Sequence, residues 1–598
     1  MKKILLSCLS LACAFYAEAQ QLPNRYREEI FTTLQETKDV VFSTNIPTVR
    51  TTSLFGNQIA NEDSYGQRTV TLRMNIYRPS GDSLTQRPVI IFAFGGGFVN
   101  GSKTEASMIQ LCQAFARRGF VTATIDYRLG MNISNEELSK RAVYRALQDG
   151  RSAVRFFRRN ASTYGVDPNQ IYLSGHSAGA FLAYQVVYLD KDSERPASTR
   201  NYLGRADLGG LDAIGDNKTY ANGSLVDGKA NGVMGFAGAV GNLNDIEGPA
   251  DVPGVYFHSS DDGTVPYNSG EPFSSLSWLP GFNLPTVYGG NQMNNRAGTV
   301  NAPRTFYPYT NRGHGVHYNG SSLYSDIGSR GGDFFYTTRL KPADLPLILG
   351  NSSVCSTCLT QTYSVANTAF YYDWQIVGGT FVSRNPRSNQ VTVTWSATAT
   401  NRGLTVTPYS RQLARGFTVG LGINVNRTAV LSRSLEANTL GEGIIDLNEY
   451  FTDPEGQPLN YVIKVVSNNA RGEKVVNGNI LDVKSLAQGQ STIMIEVNDG
   501  STCFTKHTVQ MNVKNDLQIN VSPNPFVKDV QVSLTGEYKG DVKVIFYTES
   551  GRIIAEKISK KSDMGFVENF GIETAKQGVY YIKVITSEGE IIRRIVKN

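Results

Sequence analysis

The stretch QIYLSGHSAGAFLAYQVVYL, residues 170–189, places Gly175-x-Ser177-x-Gly179 between an apolar β-type run and a helical one. A G-x-S-x-G match alone is a weak signal. At a strand–turn–helix junction it describes a nucleophile elbow, a strained turn with no room for β-carbons beside the serine. A serine hydroxyl is a feeble nucleophile unless a base lies within hydrogen-bond reach and a third group orients that base. The stretch therefore predicts an α/β sheet and two further side chains that Ser177 needs.

Upstream, IIFAFGGGFVNGS (90–102) runs an apolar strand into Gly95, Gly96 and Gly97. Bare glycine backbone after a buried strand lets an anionic group press against N–H donors. A phosphate loop would need Gly-Lys-Ser/Thr at its end, whereas Gly101-Ser102-Lys103 reverses that order, and no G-x-G-x-x-G can be laid on residues 95–101. What remains is an oxyanion hole, or a plain tight turn if no nucleophile existed; Ser177 supplies one. From about residue 65 to 345, β-rich runs such as TVTLRMNIYRP and FVTATIDYRLG alternate with helical ones such as EASMIQLCQAFARRG. This predicts a mostly parallel sheet covered by helices.

The chain has five histidines, His176, His258, His314, His317 and His507. His507 lies in the C-terminal β region, His176 beside the nucleophile is expected to point off the elbow, and His258 ends a strand before the acid. His314, flanked by Gly313 and Gly315 in a loop after the last expected strand, is the preferred base, with His317 as runner-up. The acid should fall between serine and histidine, and YFHSSDDGTVPY supplies Asp261 and Asp262. Asp262 is favoured by its spacing to Val265-Pro266; Asp261 reads as a turn residue or hydrogen-bond partner.

Together, FGGGFVNGS, IDYRLG and YGVDPNQIYLSGHSAGA, in this order over residues 65–345, resemble the α/β-hydrolases of the esterase/lipase group. The resemblance implies an α/β-hydrolase fold, Ser177 as nucleophile, His314 as base and Asp262 as its orienter. Oxyanion donors would be the N–H groups of Gly96, Gly97 and Ala178, and no cofactor or metal is implied. Two departures stand out: Phe94 where the group usually has His, and Ala180 where it has Gly. The implied reaction is hydrolysis of a carboxylic ester through an acyl-enzyme, with acylated polysaccharide a candidate substrate. Two alternatives stay open: a peptidase of the same fold, and a surface glycan-binding or adhesion protein with an inactive hydrolase domain.

The chain's 598 residues exceed one ordinary domain. With 58 basic and 52 acidic residues and no long single-sign run, nothing suggests a nucleic-acid partner. MKKILLSCLSLACAFYAEAQ reads as a signal peptide cut before Gln20, and no later run has the roughly 18 apolar residues of a membrane helix. The expected organisation is 1–19 signal, 20–348 hydrolase, then β-sandwich modules at 349–415 and 416–515 and a terminal domain at 516–598.

The module at 349–415 resembles PKD-like immunoglobulin repeats, that at 416–515 a cadherin-like module, and INVSPNPFVKDVQVSL onward the type IX secretion C-terminal sorting domain. The last implies the type IX machinery as partner and a secreted or cell-surface location reached through the periplasm. Asp453, Glu455 and Asp499 could hold calcium, though acidic turns are commonly just solvated. Cys355-x-x-Cys358 lacks a second pair or a nearby His for zinc, so a local disulfide is expected. Two inserts, 195–231 and 267–303, could border the pocket, with Trp278, Phe282 and Tyr288 as stacking candidates.

Overall fold

The computed structural model describes residues 24–54, 56–274, 282–432, 437–439, 442–465, 470–475, 478–485, 489–500, 503–513, 518–536, 538–562, 565–587 and 589–598. The expected signal peptide and Trp278 lie outside the described residues. The chain divides into two compact units, the first running to Pro346 and including Ala366–Asp373 and Val406–Val419, the second holding the rest.

The first unit is built on eight strands: β1 (Leu34–Thr48), β2 (Arg68–Pro79), β3 (Arg87–Ala93), β4 (Val121–Ile125), β5 (Val166–His176), β6 (Val233–Phe236), β7 (Gly254–Ser259) and β8 (Arg304–Tyr309). They lie side by side as β1-β2-β4-β3-β5-β6-β7-β8. β1–β2 and β2–β4 are antiparallel and every other neighbour pair is parallel. Every residue of β3 and β4 is buried, the mark of strands covered by helices on both faces. Those helices are α1 (Ala106–Arg117), α2 (Glu136–Arg159), α3 (Ala178–Tyr188), α4 (Gly290–Thr299) and α5 (Ser325–Phe335).

Local chemistry starts and stops these helices. The Glu105 carboxylate accepts the N–H groups of Ser107 and Met108 at the start of α1. Asn135 caps α2, which has Glu136 and Glu137 in its first turn and Arg158 and Arg159 in its last, complementing the helix dipole. α2 also buries Arg141 and Arg145 against the Glu62 carboxylate, at 3.1 and 2.6 Å. Removing one partner of such a buried set strands a charge and costs about 3–5 kcal/mol.

The order 4-3-5 places the site. From β3 the chain crosses to β4 on one side, while β5 lies on the other, so the loops leaving β3 and β5 diverge at a topological switch point, where open α/β sheets bind ligands. β3 pairs with β5 so that Ala93 lies opposite Gly175. The glycine run and the elbow, 80 residues apart in sequence, thereby become neighbours.

The described residues of the second unit are mainly strands and turns, with a short 3-10 helix at Leu447–Glu449, as the alternating texture after residue 350 predicts. Its C-terminal portion closes over a core that includes Phe526, Val532, Val544, Phe546, Ile582 and Ile595. The expected Cys355–Cys358 disulfide is corrected: Cys355 bonds to Cys503, 148 residues away, while Cys358 is a free, exposed thiol. The reason is strand pairing, since Ser353–Cys355 runs parallel to Asn424–Asn426 and the Cys503 sulfur lies 3.4 Å from the Asn426 carbonyl. Among the described residues, Asp453, Glu455 and Asp499 do not converge on one metal position; Asp453 accepts the N–H groups of Glu455 and Gln457, and Glu455 pairs with Arg427.

Candidate active site

Ser177 lies between the end of β5 and the start of α3 with φ 54° and ψ −121°, backbone angles that a non-glycine residue adopts only under constraint. The constraint is close packing. A β-carbon on Gly179 would stand 2.1 Å from the Ala93 carbonyl oxygen, and one on Gly175 2.4 Å from the Gly179 carbonyl carbon. The turn is held from beyond by the N–H groups of Ala180 and Phe181, which donate to the Ser177 carbonyl. Ala180 is accommodated because Gly238 faces it: a β-carbon there would lie 2.4 Å from the Ala180 methyl.

The glycine loop is equally tight. Gly96 has φ +109°, and Gly97 and Phe98 each +60°. The Gly96 carbonyl accepts the N–H groups of Val99 and Asn100 at 3.1 and 3.0 Å. Phe94, in place of the usual His, is buried and stacked on Tyr127 with centroids 4.2 Å apart, and the Tyr127 hydroxyl donates to the Phe94 carbonyl at 2.8 Å. An aromatic stack and the Tyr127 hydroxyl thus anchor the loop at this position. Among the described residues, no acceptor takes the N–H of Gly96, Gly97 or Ala178.

Asp262 and His314 are brought together from loops after β7 and β8, which pair in parallel. His314 Nδ1 lies 2.9 Å from Asp262 Oδ2 and 3.1 Å from Oδ1. The carboxylate also accepts the N–H groups of Thr264 and Val265, at 2.8 and 3.0 Å. His258 Nε2, buried, stands 3.2 Å from Oδ2. Burial alone would push the Asp262 carboxyl up; hydrogen bonds from His258, His314 and Val265 outweigh it and hold the group well below the usual carboxylate range. Asp261 is a hydrogen-bond partner, accepting from the Ser259 hydroxyl and the Gly313 N–H. Arg312, beside His314, is sandwiched between the rings of Tyr309 and Tyr324 at 3.9 and 4.0 Å and paired with Asp326.

The other histidines sort themselves. His317, the runner-up base, is buried, sits 2.9 Å from the Ser107 hydroxyl and makes no hydrogen bond to Asp262. His176 does not point away: its ring packs 4.7 Å from that of His314 and its Nε2 donates to the His314 carbonyl at 2.8 Å. Burial, and then the proximity of His314, pull the His176 imidazole down to about 4, so it is neutral at pH 7. Neither the His258–Asp262 contact nor the His176–His314 contact was legible in sequence, because each depends on strand order.

Ser177, Gly97 and Ala178 border one pocket with otherwise mainly apolar walls, among them Phe98, Met131, Phe181, Phe273 and Leu284. The insert 267–303 supplies Pro272, Phe273, Leu284, Pro285 and Val287; none of the lining residues comes from 195–231. That first insert instead covers α2, where the Arg141 and Gln148 side chains donate to the carbonyls of Ala206 and Leu208. Phe282 and Tyr288 pack against the core rather than lining the pocket.

Residues 74–276 match the BD-FAE family model, and residues 520–598 that of the secretion system C-terminal sorting domain. Among curated proteins, the chain is 33% identical over 130 residues to isoprenylcysteine alpha-carbonyl methylesterase ICME of Arabidopsis thaliana, covering 22% of this chain and 27% of that one. It is 35% identical over 131 residues to gut esterase 1 of Caenorhabditis elegans, covering 22% and 23%. The chain thus spans about a quarter of the length of these relatives. Among solved structures, native esterase 2 of Thermogutta terrifontis aligns at 20% identity and a TM-score of 0.31, over 49% of this chain and 89% of that one. No helix among the described residues is long and apolar enough to cross a membrane.

Proposed function

We propose, from the esterase-type α/β-hydrolase domain and the secretion-system sorting domain that this chain carries, that it is an exported serine carboxylic-ester hydrolase. The observation that supports this most is the 2.9 Å contact between His314 Nδ1 and Asp262. With its Nδ1 proton committed to the carboxylate, the imidazole keeps Nε2 as a free lone pair, the form a general base requires. Ser177 Oγ attacks the ester carbonyl as His314 takes its proton, and the N–H groups of Gly96, Gly97 and Ala178 receive the negative oxygen that forms. His314 returns the proton to the leaving alcohol; water then repeats the sequence on the acyl-enzyme and frees the acid and Ser177. A donor placed at such an oxygen is worth about 3–4 kcal/mol.

The apolar pocket suits the acyl side of the ester, and the sorting domain supports a route through the type IX machinery to the cell surface or beyond. A chain acting there meets polymers, and acylated polysaccharide is the proposed substrate class. The test is hydrolysis of p-nitrophenyl esters from acetate to octanoate by the full chain and by Ser177→Ala. Activity abolished by the substitution supports the reading, and the chain-length profile sizes the acyl pocket. Wild type and variant equally inert on every ester, or equally active, would sink it.

A further inference from the structure

We propose that His258 is a positioning residue that fixes the Asp262 oxygen facing His314; the inference rests on the roles given to Asp262 and His314 above. The two oxygens of Asp262 are held differently. Oδ1 accepts two backbone N–H groups, from Thr264 and Val265. Oδ2 faces two imidazoles, His314 Nδ1 at 2.9 Å and His258 Nε2 at 3.2 Å. The proton on His258 is assigned by its other nitrogen: the Gly290 N–H points at Nδ1 from 3.0 Å, so Nδ1 accepts and Nε2 carries the hydrogen. That hydrogen bonds the Val265 carbonyl at 3.2 Å, with Asp262 Oδ2 at the same distance as its second acceptor.

The arrangement is built for this contact. His258 is the fifth residue of β7, 1% exposed, with the Tyr267 ring edge-on at 5.6 Å, so it cannot reach a substrate. Gly290, which opens α4, has to lack a side chain, because a β-carbon there would stand 2.9 Å from the His258 β-carbon. Without the His258 donor, Oδ2 is restrained by His314 alone and can shift out of line with Nδ1 about the Oδ1 that the Thr264 and Val265 N–H groups hold. Its undivided charge then falls on the imidazolium that forms during the reaction. Among the described residues, the other titratable or charged groups near this pair are Asp261 through Gly313, His176 against the His314 ring, His317 against the His176 ring, and Arg312 of the His314 loop, which is occupied by Asp326.

Two substitutions in the full chain separate positioning from packing. His258→Asn keeps an acceptor for the Gly290 N–H and loses the Nε2 donor; His258→Gln places an amide donor near Nε2. With p-nitrophenyl acetate, His258→Asn should lower kcat about 10- to 100-fold, the worth of a hydrogen bond to a charged group, with KM near wild type. The acid limb of its kcat/KM profile should move to higher pH, and His258→Gln should recover most of both effects. Thermal melts check that each variant is folded. Should His258→Asn melt early, the downfield proton NMR signal of the His314–Asp262 hydrogen bond, compared below the melt in both variants, decides: a signal shifted in Asn and recovered in Gln upholds the inference, and one identical to wild type in both overturns it. Wild-type kcat and acid limb in both variants, with Ser177→Ala inert, overturns the His258 role alone. A fully active Ser177→Ala overturns the serine reading and this inference with it.

Discussion

Adjacent glycines of the 94–102 loop should respond in opposite ways to the same added methyl. At Gly96 a β-carbon would stand 2.3 Å from the Asn100 carbonyl oxygen and 2.9 Å from its carbon, both backbone atoms, at φ +109°. Nothing there can yield except the turn itself, closed by the N–H groups of Val99 and Asn100 on the Gly96 carbonyl. Gly96→Ala therefore combines about 1–3 kcal/mol of backbone strain with displacement of the proposed oxyanion donors, each worth about 100- to 1000-fold in kcat. At Gly97 the nearest atom is the Phe273 ring at 3.4 Å, an ordinary contact, and φ is +60°. Phe98 next to it already adopts that φ with a full side chain, so Gly97→Ala should cost about 1–2 kcal/mol of stability and leave kcat near wild type. The assay is kcat and KM on p-nitrophenyl acetate, with thermal melts for folding. A folded Gly96→Ala that keeps wild-type kcat would refute the placement of the oxyanion donors in this turn; an equal loss at both positions would refute the packing argument.

The pH dependence of stability should carry two opposed slopes. Burial, then the charges of Glu194 and Glu247, pushes the Asp245 carboxyl up to about 7 from 3.8, so the native state holds a proton that the unfolded chain releases, and stability falls as pH rises through this window. His176, pulled down to about 4 from 6.5, stays neutral when folded while the unfolded chain takes up a proton, so its contribution falls as pH drops from 6.5 to 4. Asp245→Asn should therefore stabilise the first unit at pH 7 by on the order of 2–4 kcal/mol relative to its effect at pH 4; denaturant midpoints that differ from wild type equally at both pH values would contradict this. In the second unit, Cys503→Ser opens a bridge spanning 148 residues and should cost about 5 kcal/mol on the chain-entropy scale, read as a lower denaturant midpoint of that unit with unchanged ester hydrolysis. No change in that midpoint would mean that strand pairing alone holds the segments together.

The elbow-shaped turn and the glycine loop were legible because each rests on local chemistry: glycines where a β-carbon would strike backbone, an uninterrupted apolar run where a strand is covered on both faces, a polar loop where a strand ends. Asp262 was separable from Asp261 by its spacing to Val265-Pro266, and in the fold it is Asp262 that touches His314 while Asp261 steadies Gly313. Ala180, Gly in the related group, needed its partner Gly238 to be understood, and the two meet only once β6 lies beside β5.

Sequence by itself determined the α/β alternation, the β-rich C-terminal half and the residue types of the candidate site, since these follow from periodicity and from the steric demands of a few turns. Tertiary structure alone decided that His258 as well as His314 meets Asp262, that Cys355 pairs with Cys503 rather than Cys358, and that the insert 267–303 walls the pocket while 195–231 covers α2. Each of those depends on strand order and on approaches of a few ångströms between residues far apart in the chain, and no local pattern encodes such distances.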